Sequence, residues 1–341
     1  MSISVPFTKG VNFSKWFESH AFKDVVFSKF LEQDFIDVKS LGADVIRVPV
    51  AFHNFVLNKD DYTLEPELIN YLDTAVDWAE KHQIYFIIDN HSFHPVNATN
   101  NNIDKILIPV WEQLAQHFKN RSEYLIYEVL NEPHGIEDDL WGEIQDAAIK
   151  AIRKYDQEHI IIVGGTNYNS IDKMYKIPEY EDNKLIYTFH FYDPHIFTHQ
   201  GATWNKPSLA PLKNLNFPAD DNFIPEIHET FKGTWVEEAL NGYKNDSKLT
   251  KLCETIKKAA AFSKEKNVPI FCGEFGVFMI QSPAEDRVKW YKFFCDELSK
   301  HNIPWTCWDY FGSFGIFKTH ERGNFPGDLN KDIVKAMGLK L

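Results

Sequence analysis

At 341 residues the chain can hold one large α/β barrel or two average domains, and 44% hydrophobic residues suffice for a full core. Its 36 basic and 49 acidic residues leave a net charge of −13. That balance argues against nucleic acid and against an anionic membrane surface as partners, because no basic excess offers counterion release. Aromatic residues make up 15%, a high share; surplus rings often go into the core, but rings also form faces on which sugars or bases stack.

The opening Met1-Ser2-Ile3-Ser4-Val5-Pro6 lacks the basic and apolar regions of a signal peptide, and no apolar run is long enough to span a bilayer. A soluble monomer is expected, cytoplasmic as it stands or secreted with its signal peptide removed. Cys253, Cys272, Cys295 and Cys307 show no Cys-x-x-Cys spacing, so free thiols are expected rather than a zinc or redox site.

Short apolar runs alternate with longer amphipathic stretches, as a βα repeat requires. Residues 9–13 read as a first, weak strand. Residues 23–41 read as a helix, with Phe27, Phe30, Leu31, Phe35, Val38 and Leu41 at helical spacing and Gly42 at its end. Strand two covers 44–50. Pro66 then opens a helix whose apolar stripe is Leu68, Leu72, Ala75, Val76 and Ala79. Strand three covers 84–89, followed by a helix over 103–118.

Strand four runs over 124–130 and stops at Asn131, Glu132 and Pro133, since proline cannot continue a central strand. A helix carrying Leu140, Ile144, Ala147, Ala148, Ala151 and Ile152 comes next, then strand five at 159–164. Pro178 interrupts 171–182, so the helix before strand six (184–191) is short or irregular. The segment from about 193 to 247 carries five prolines and reads as a long functional connection. A helix over 248–264, strand seven at 268–272, a helix over 283–299, strand eight at 303–308 and a helix over 329–337 complete the chain.

Continuous apolar strands imply a sheet covered on both faces, hence parallel. Eight such units predict a single (β/α)8 TIM barrel domain over residues 1–341. A doubly wound open sheet is the rival, but no Gly-x-Gly-x-x-Gly or other phosphate-binding glycine loop is present.

Polar residues interrupt six of the eight strands near their C-terminal ends, where a barrel binds its ligands. Arg47 is late in strand two and His91 just past strand three. Asn131 and Glu132 end strand four. His190 and Tyr192 end strand six, on one face by their i, i+2 spacing. Glu274 follows strand seven and Trp308 ends strand eight. Each alone has a bland reading, as an ion-pair partner, a core histidine, a packed ring or a solvated loop carboxylate. Their shared position is hard to explain by packing. Two carboxyl groups facing each other with no cofactor suit glycoside hydrolysis, where one is protonated and the other ionised. Arg47, Tyr192 and His190 would favour an anionic Glu274, and a nearby negative charge would push Glu132 towards protonation.

These residues carry a resemblance. Lys9-Gly10-Val11-Asn12, Ile46-Arg47-Val48-Pro49, the His91 position, Leu130-Asn131-Glu132-Pro133-His134, His190-Phe191-Tyr192, Gly273-Glu274-Phe275-Gly276 and Trp308, in this order, resemble glycoside hydrolase family 5, the cellulase family. The resemblance implies a retaining endo-β-1,4-glucanase with Glu132 as acid/base and Glu274 as nucleophile. It implies Asn131 on the sugar 2-hydroxyl, Tyr192 and Arg47 holding Glu274, His91 and His190 lining the cleaved-bond subsite, and Trp308 under that sugar. Phe197-Thr198-His199-Gln200-Gly201-Ala202-Thr203-Trp204 is similar to the compact bacterial members, in which the loop after strand six roofs the cleft. That would bring His199 and Trp204 to the glycan, although Trp204 could equally anchor the loop itself. Two departures stand out. Where many members carry a second histidine after the one at strand three, this chain has Ser92, with His94 two residues on. Residues 206–244 also form a longer segment than the compact members need.

The expected partner is therefore a β-linked polysaccharide or oligosaccharide, with no cofactor. Rival activities on the same scaffold are β-mannanase, xyloglucanase, lichenase or exo-β-glucosidase. A non-catalytic glycan-binding barrel and a metal hydrolase are the rivals from other classes. The latter lacks a His-x-His or His-Glu-x-x-His pair.

Overall fold

Eight parallel strands close on themselves in chain order, β1 pairing with both β2 and β8. They are β1 (Lys9–Asn12), β2 (Val45–Val50), β3 (Tyr85–Asn90), β4 (Leu125–Glu128), β5 (Ile160–Gly164), β6 (Leu185–Phe191), β7 (Ile270–Phe275) and β8 (Trp305–Cys307). This computed structural model describes residues 3–58, 60–92 and 97–341. The helices are α1 (Glu32–Ser40), α2 (Pro66–His82), α3 (Asp104–Phe118), α4 (Asp138–Arg153), the single turns α5 (Thr166–Asn169), α6 (Ile171–Met174) and α7 (His195–Thr198), then α8 (Trp235–Asp246), α9 (Leu249–Lys266), α10 (Ala284–Lys300) and α11 (Lys331–Ala336). The expected (β/α)8 TIM barrel is the observed one. Among the described residues no helix is long and apolar enough to cross a membrane. All four cysteines are free thiols.

The strands alternate side chains between the barrel's inside and the surrounding helices. Phe7, Val45, Ile87, Ile126, Ile162, Ile186 and Phe271 form one apolar cluster apart from the larger core that packs strands against helices. Two residues further along three adjacent strands, the inside turns polar: Val45 is followed by Arg47, Ile87 by Asp89 and Ile126 by Glu128. The apolar layer thus carries a charged layer on its C-terminal side.

Several boundaries differ from expectation for identifiable reasons. The helix expected over 23–41 begins only at Glu32, and short 3-10 turns at Phe22–Asp24 and Phe27–Lys29 replace its first half. Phe27 and Phe30 are three apart, a spacing a 3-10 turn satisfies as well as an α-helix. The Asp34 carboxylate accepts from the Leu31 N–H at 2.7 Å and so caps the later start. Strand four ends at Glu128, earlier than Asn131. The Val129 carbonyl leaves the ladder and accepts from the Trp111 indole N–H at 3.0 Å. Strand seven runs on through Gly273 and Glu274 to Phe275, and strand eight stops before Trp308. The segment from Asp193 to Ser247 is not structureless: it holds α7, a 3-10 turn at Glu229–Phe231 and α8, whose Thr234 cap accepts from the Val236 N–H at 3.2 Å.

Candidate active site

At the C-terminal mouth Glu274 and Asn131 converge on one buried guanidinium, that of Arg47, together with Asn12, Asp89 and Glu128. Arg47 is fully inaccessible. Its Nε and Nη2 donate to Glu128 at 2.7 and 2.9 Å, a bidentate pair. Nη1 donates to Glu274 Oε1 at 2.8 Å and to Asn12 Oδ1 at 2.9 Å, and Nη2 to Asn131 Oδ1 at 2.8 Å. Asp89 Oδ2 lies 3.0 Å from Nη2. Three carboxylates around one cation hold the guanidinium charged, against the burial that opposes it.

Glu274 receives a second donor, the Tyr192 hydroxyl, at 2.9 Å from Oε2. Burial, with this carboxylate beside it, raises the Tyr192 phenol well above its ordinary range, so it stays a donor. Both Glu274 oxygens accept, an arrangement that suits a carboxylate, since a carboxylic acid would need an acceptor for its own proton. The position of Glu274 depends on a register shift. Phe189 pairs with Cys272 but His190 pairs with Glu274, so Gly273 is the extra residue of a bulge. A Cβ on Gly273 would lie 2.8 Å from Thr188 Oγ1 and 2.9 Å from His190 Nε2. Glycine there allows His190 to stand against β7.

Glu132 sits at φ 46°, in the left-handed region that side-chain-bearing residues seldom adopt. Its neighbours lock the turn. The Asn131 N–H donates to the Asn90 carbonyl at 2.9 Å, the Tyr168 N–H to the Pro133 carbonyl at 3.2 Å, the Thr99 N–H to the His134 carbonyl at 2.7 Å, and the His134 N–H to the Thr99 hydroxyl at 3.0 Å. His134 Nδ1 lies 2.9 Å from the Glu132 carbonyl. The Glu132 carboxyl meets His190 Nδ1 at 2.7 Å. Burial, outweighing the lowering effect of His91 and Arg47, pushes it up to about 7. Desolvation is therefore the main cause, and the negative charge that adds to it is that of Asp89. Burial also brings His190 down to about 4, so its ring is neutral. His190 Nδ1 stands 3.7 Å from Glu274 Oε2, so this one ring bridges the two carboxyl groups. One oxygen of each carboxyl and a ring nitrogen of His190 all lie within 4.8 Å of one another.

That trio is also the one group of three metal-capable side chains among the described residues. Its atoms are engaged with Arg47, Tyr192 and each other, a donor set already neutralised within the protein.

His91 stacks on Trp308, with ring centroids 5.6 Å apart and planes at 18°. Burial works against charge on His91, but Asp89, 2.7 Å from Nδ1, outweighs it and raises the imidazole to about 9. Its Nε2 faces Asn131 Nδ2 at 3.3 Å and Glu18 Oε1 at 3.9 Å. His199 is buried, with its ring edge-on to Tyr192 at 5.0 Å. Trp204 packs edge-on against Phe278 at 5.1 Å and keeps 37% of its surface exposed, so it both anchors the loop and offers a face. Ser92 is buried with its hydroxyl on Asn90 Oδ1 at 2.5 Å; His94 lies outside the described residues.

Sequence reasoning passed over Asn12, Glu18, Asp89 and Glu128 as site residues. Asp89 and Glu128 carried a signal: each is a charged residue two places after an inward apolar one, on the two strands that follow Arg47's own.

The model of the cellulase family, glycosyl hydrolase family 5, matches residues 8–313. The chain belongs to glycosyl hydrolase family 5. This family 5 chain is a cellulase-type glycoside hydrolase. It is 29% identical over 320 residues to endoglucanase C of Acetivibrio thermocellus, covering 90% of this chain and 92% of that one. Among solved structures it resembles the clostridial cellulose synthase subunit Z of Clostridioides difficile, at 26% identity and TM-score 0.80 over 97% of this chain and 99% of that one. It also resembles Thermotoga maritima Cel5A in complex with mannotriose, at 25% identity and TM-score 0.76 over 97% of each chain.

Proposed function

We propose that this family 5 hydrolase is a retaining endo-β-1,4-glucanase acting by double displacement. The observation that carries the reading is the spacing of Glu132 and Glu274, whose nearest oxygens lie within 4.8 Å. Retaining pairs stand about 5–5.5 Å apart, whereas inverting pairs leave about 6.5–9.5 Å for a water. In the first step a Glu274 oxygen bonds to the anomeric carbon as the bond to the leaving oxygen breaks. Glu132 gives its proton to that oxygen. In the second step Glu132 takes a proton from water, the water oxygen bonds to the anomeric carbon, and Glu274 leaves as a carboxylate.

The environments suit these roles. Burial keeps Glu132 protonated up to about pH 7, while Glu274 is held by Arg47 and Tyr192 as an acceptor. In this reading Asn131, fixed through Oδ1 by Arg47, turns Nδ2 and the neighbouring His91 towards the sugar, and Trp308 lies under its ring. His190 holds the Glu132 carboxyl. The whole chain, residues 1–341, acts as one catalytic domain. The substrate class follows the endoglucanase relatives. A second reading, a β-mannan as substrate, is favoured by the mannotriose complex of the similar Thermotoga maritima structure.

Reducing-end release from carboxymethyl-cellulose and from mannan, with wild type and Glu274→Ala, tests both. The proposal expects release from cellulose by wild type and none by the variant, with folding intact. Release from mannan alone would move the substrate assignment. Appreciable release by Glu274→Ala would remove Glu274 from the nucleophile's place.

A further inference from the structure

The segment after β6 builds a ledge that the chemistry at Glu132 and Glu274 does not use. Of the exposed large hydrophobic side chains among the described residues, two are tryptophans, Trp204 at 37% and Trp235 at 40%. Both belong to this ledge. Trp235 opens α8 directly after its Thr234 cap. Its indole N–H donates to the Lys206 carbonyl at 2.9 Å, so the polar edge is satisfied within the protein and the ring is held in one orientation. An isolated exposed ring needs no explanation, but this one continues a row. Tyr192, bonded to Glu274, is edge-on to His199 at 5.0 Å. His199 stacks on His195 at 3.9 Å, and His195 lies 5.8 Å from Trp235. Burial brings His195 down to about 4 and His199 well below its ordinary value, so the row is uncharged near neutrality. Asn205 Nδ2 sits 3.0 Å from His195 Nε2, tying the strand of chain beside Trp204 to the same row. The Asn205 Oδ1 is buried and has no protein partner.

We propose that Trp235 is the platform of a distal subsite for a β-1,4-linked glucan, stacking under a sugar beyond those at the scissile bond. The fixed ring offers an apolar face with little ordering cost on binding. The subsite rests on the reading of the barrel mouth as a β-glucan hydrolase, and it assigns a purpose to the long segment after β6.

The test compares wild type with Trp235→Ala and Trp235→Phe on cellohexaose and on an aryl cellobioside too short to reach the ledge. Trp235→Ala is expected to lower kcat/KM on cellohexaose about five- to tenfold, through KM, on the scale of one buried ring face. The aryl cellobioside constants should stay unchanged, and Trp235→Phe should recover most of the loss. Equal losses on both substrates, or no loss on either, overturn the subsite. A binding arm separates the subsite from the hydrolytic reading. With Glu132→Gln in every protein, calorimetric titration with cellohexaose should give about five- to tenfold weaker binding when Trp235 is alanine. Unchanged affinity overturns the subsite. If that weakening is seen while wild type cleaves no β-1,4-glucan, the subsite stands and the hydrolytic reading falls.

Discussion

Arg47 Nη1 stands 2.8 Å from Glu274 Oε1, a contact between a fully buried cation and a carboxylate at the floor of the cleft. The same guanidinium holds Glu128 and touches Asp89, so it fixes Glu274 while it compensates charges deeper in the barrel. Removing it leaves three carboxylates without their cation. Arg47→Met should therefore destabilise the fold by about 3–5 kcal/mol, the usual cost of breaking a buried pair from one side. Urea unfolding measures this. A loss of activity with unchanged stability would mean that Arg47 serves Glu274 alone.

Glu132→Gln keeps shape but removes the transferable proton. Turnover of an unactivated glucan should fall about 10²–10⁴-fold. An aryl glycoside whose leaving group needs no protonation should lose much less in the glycosylation step. Equal losses on both substrates would speak against Glu132 as the acid.

The pH dependence follows from Glu132, raised to about 7. As the proton donor it must be protonated, so kcat/KM should decline as pH rises through about 7. In Glu132→Gln that limb should vanish. Stability moves in the same direction. The folded carboxyl holds its proton more tightly than the unfolded one, so its contribution is fully present at pH below the ordinary value of 4.5. It is lost as pH climbs towards 7. Denaturant midpoints for wild type and Glu132→Gln across pH 4–8 measure this, and Glu132→Gln should lose less stability over the interval.

Gly273→Ala introduces a Cβ that would lie 2.8 Å from Thr188 Oγ1 and 2.9 Å from His190 Nε2. Both contacts are on β6, where His190 reaches the Glu132 carboxyl. The variant should lose at least about tenfold in kcat, since small displacements at a reacting centre are costly. Full activity would mean that His190 can shift without consequence.

A chelator should leave activity unchanged. The Glu132, His190 and Glu274 atoms are engaged with one another and with Arg47 and Tyr192. Inactivation by EDTA that added divalent metal reverses would contradict the two-carboxylate mechanism.

The barrel was legible because the strands after the weak first one are mostly apolar runs of the right length, and the candidate site because Asn131-Glu132-Pro133 and Gly273-Glu274 break such runs at their ends. Asp89 and Glu128 were harder to see. A charged residue within an apolar strand gains meaning only when the barrel closes and shows that alternate positions on three strands meet at Arg47. The Gly273 bulge is defined by the pairing of β6 with β7, a property of two strands and visible in neither alone. The first half of the helix expected at 23–41 was misread because a spacing of three fits 3-10 turns too. Within the long segment after β6, prolines and Asn/Asp residues masked the short stripe Val236, Leu240 and Tyr243 that buries α8.

The central claim is that Glu274 bonds covalently to the anomeric carbon, and the stereochemistry of the first product tests it most directly. Proton NMR during rapid hydrolysis of a cello-oligosaccharide should show the β-anomer of the new reducing end first, with the α-anomer growing in only by mutarotation. Initial release of the α-anomer would mean inversion and would contradict the double displacement proposed for Glu132 and Glu274.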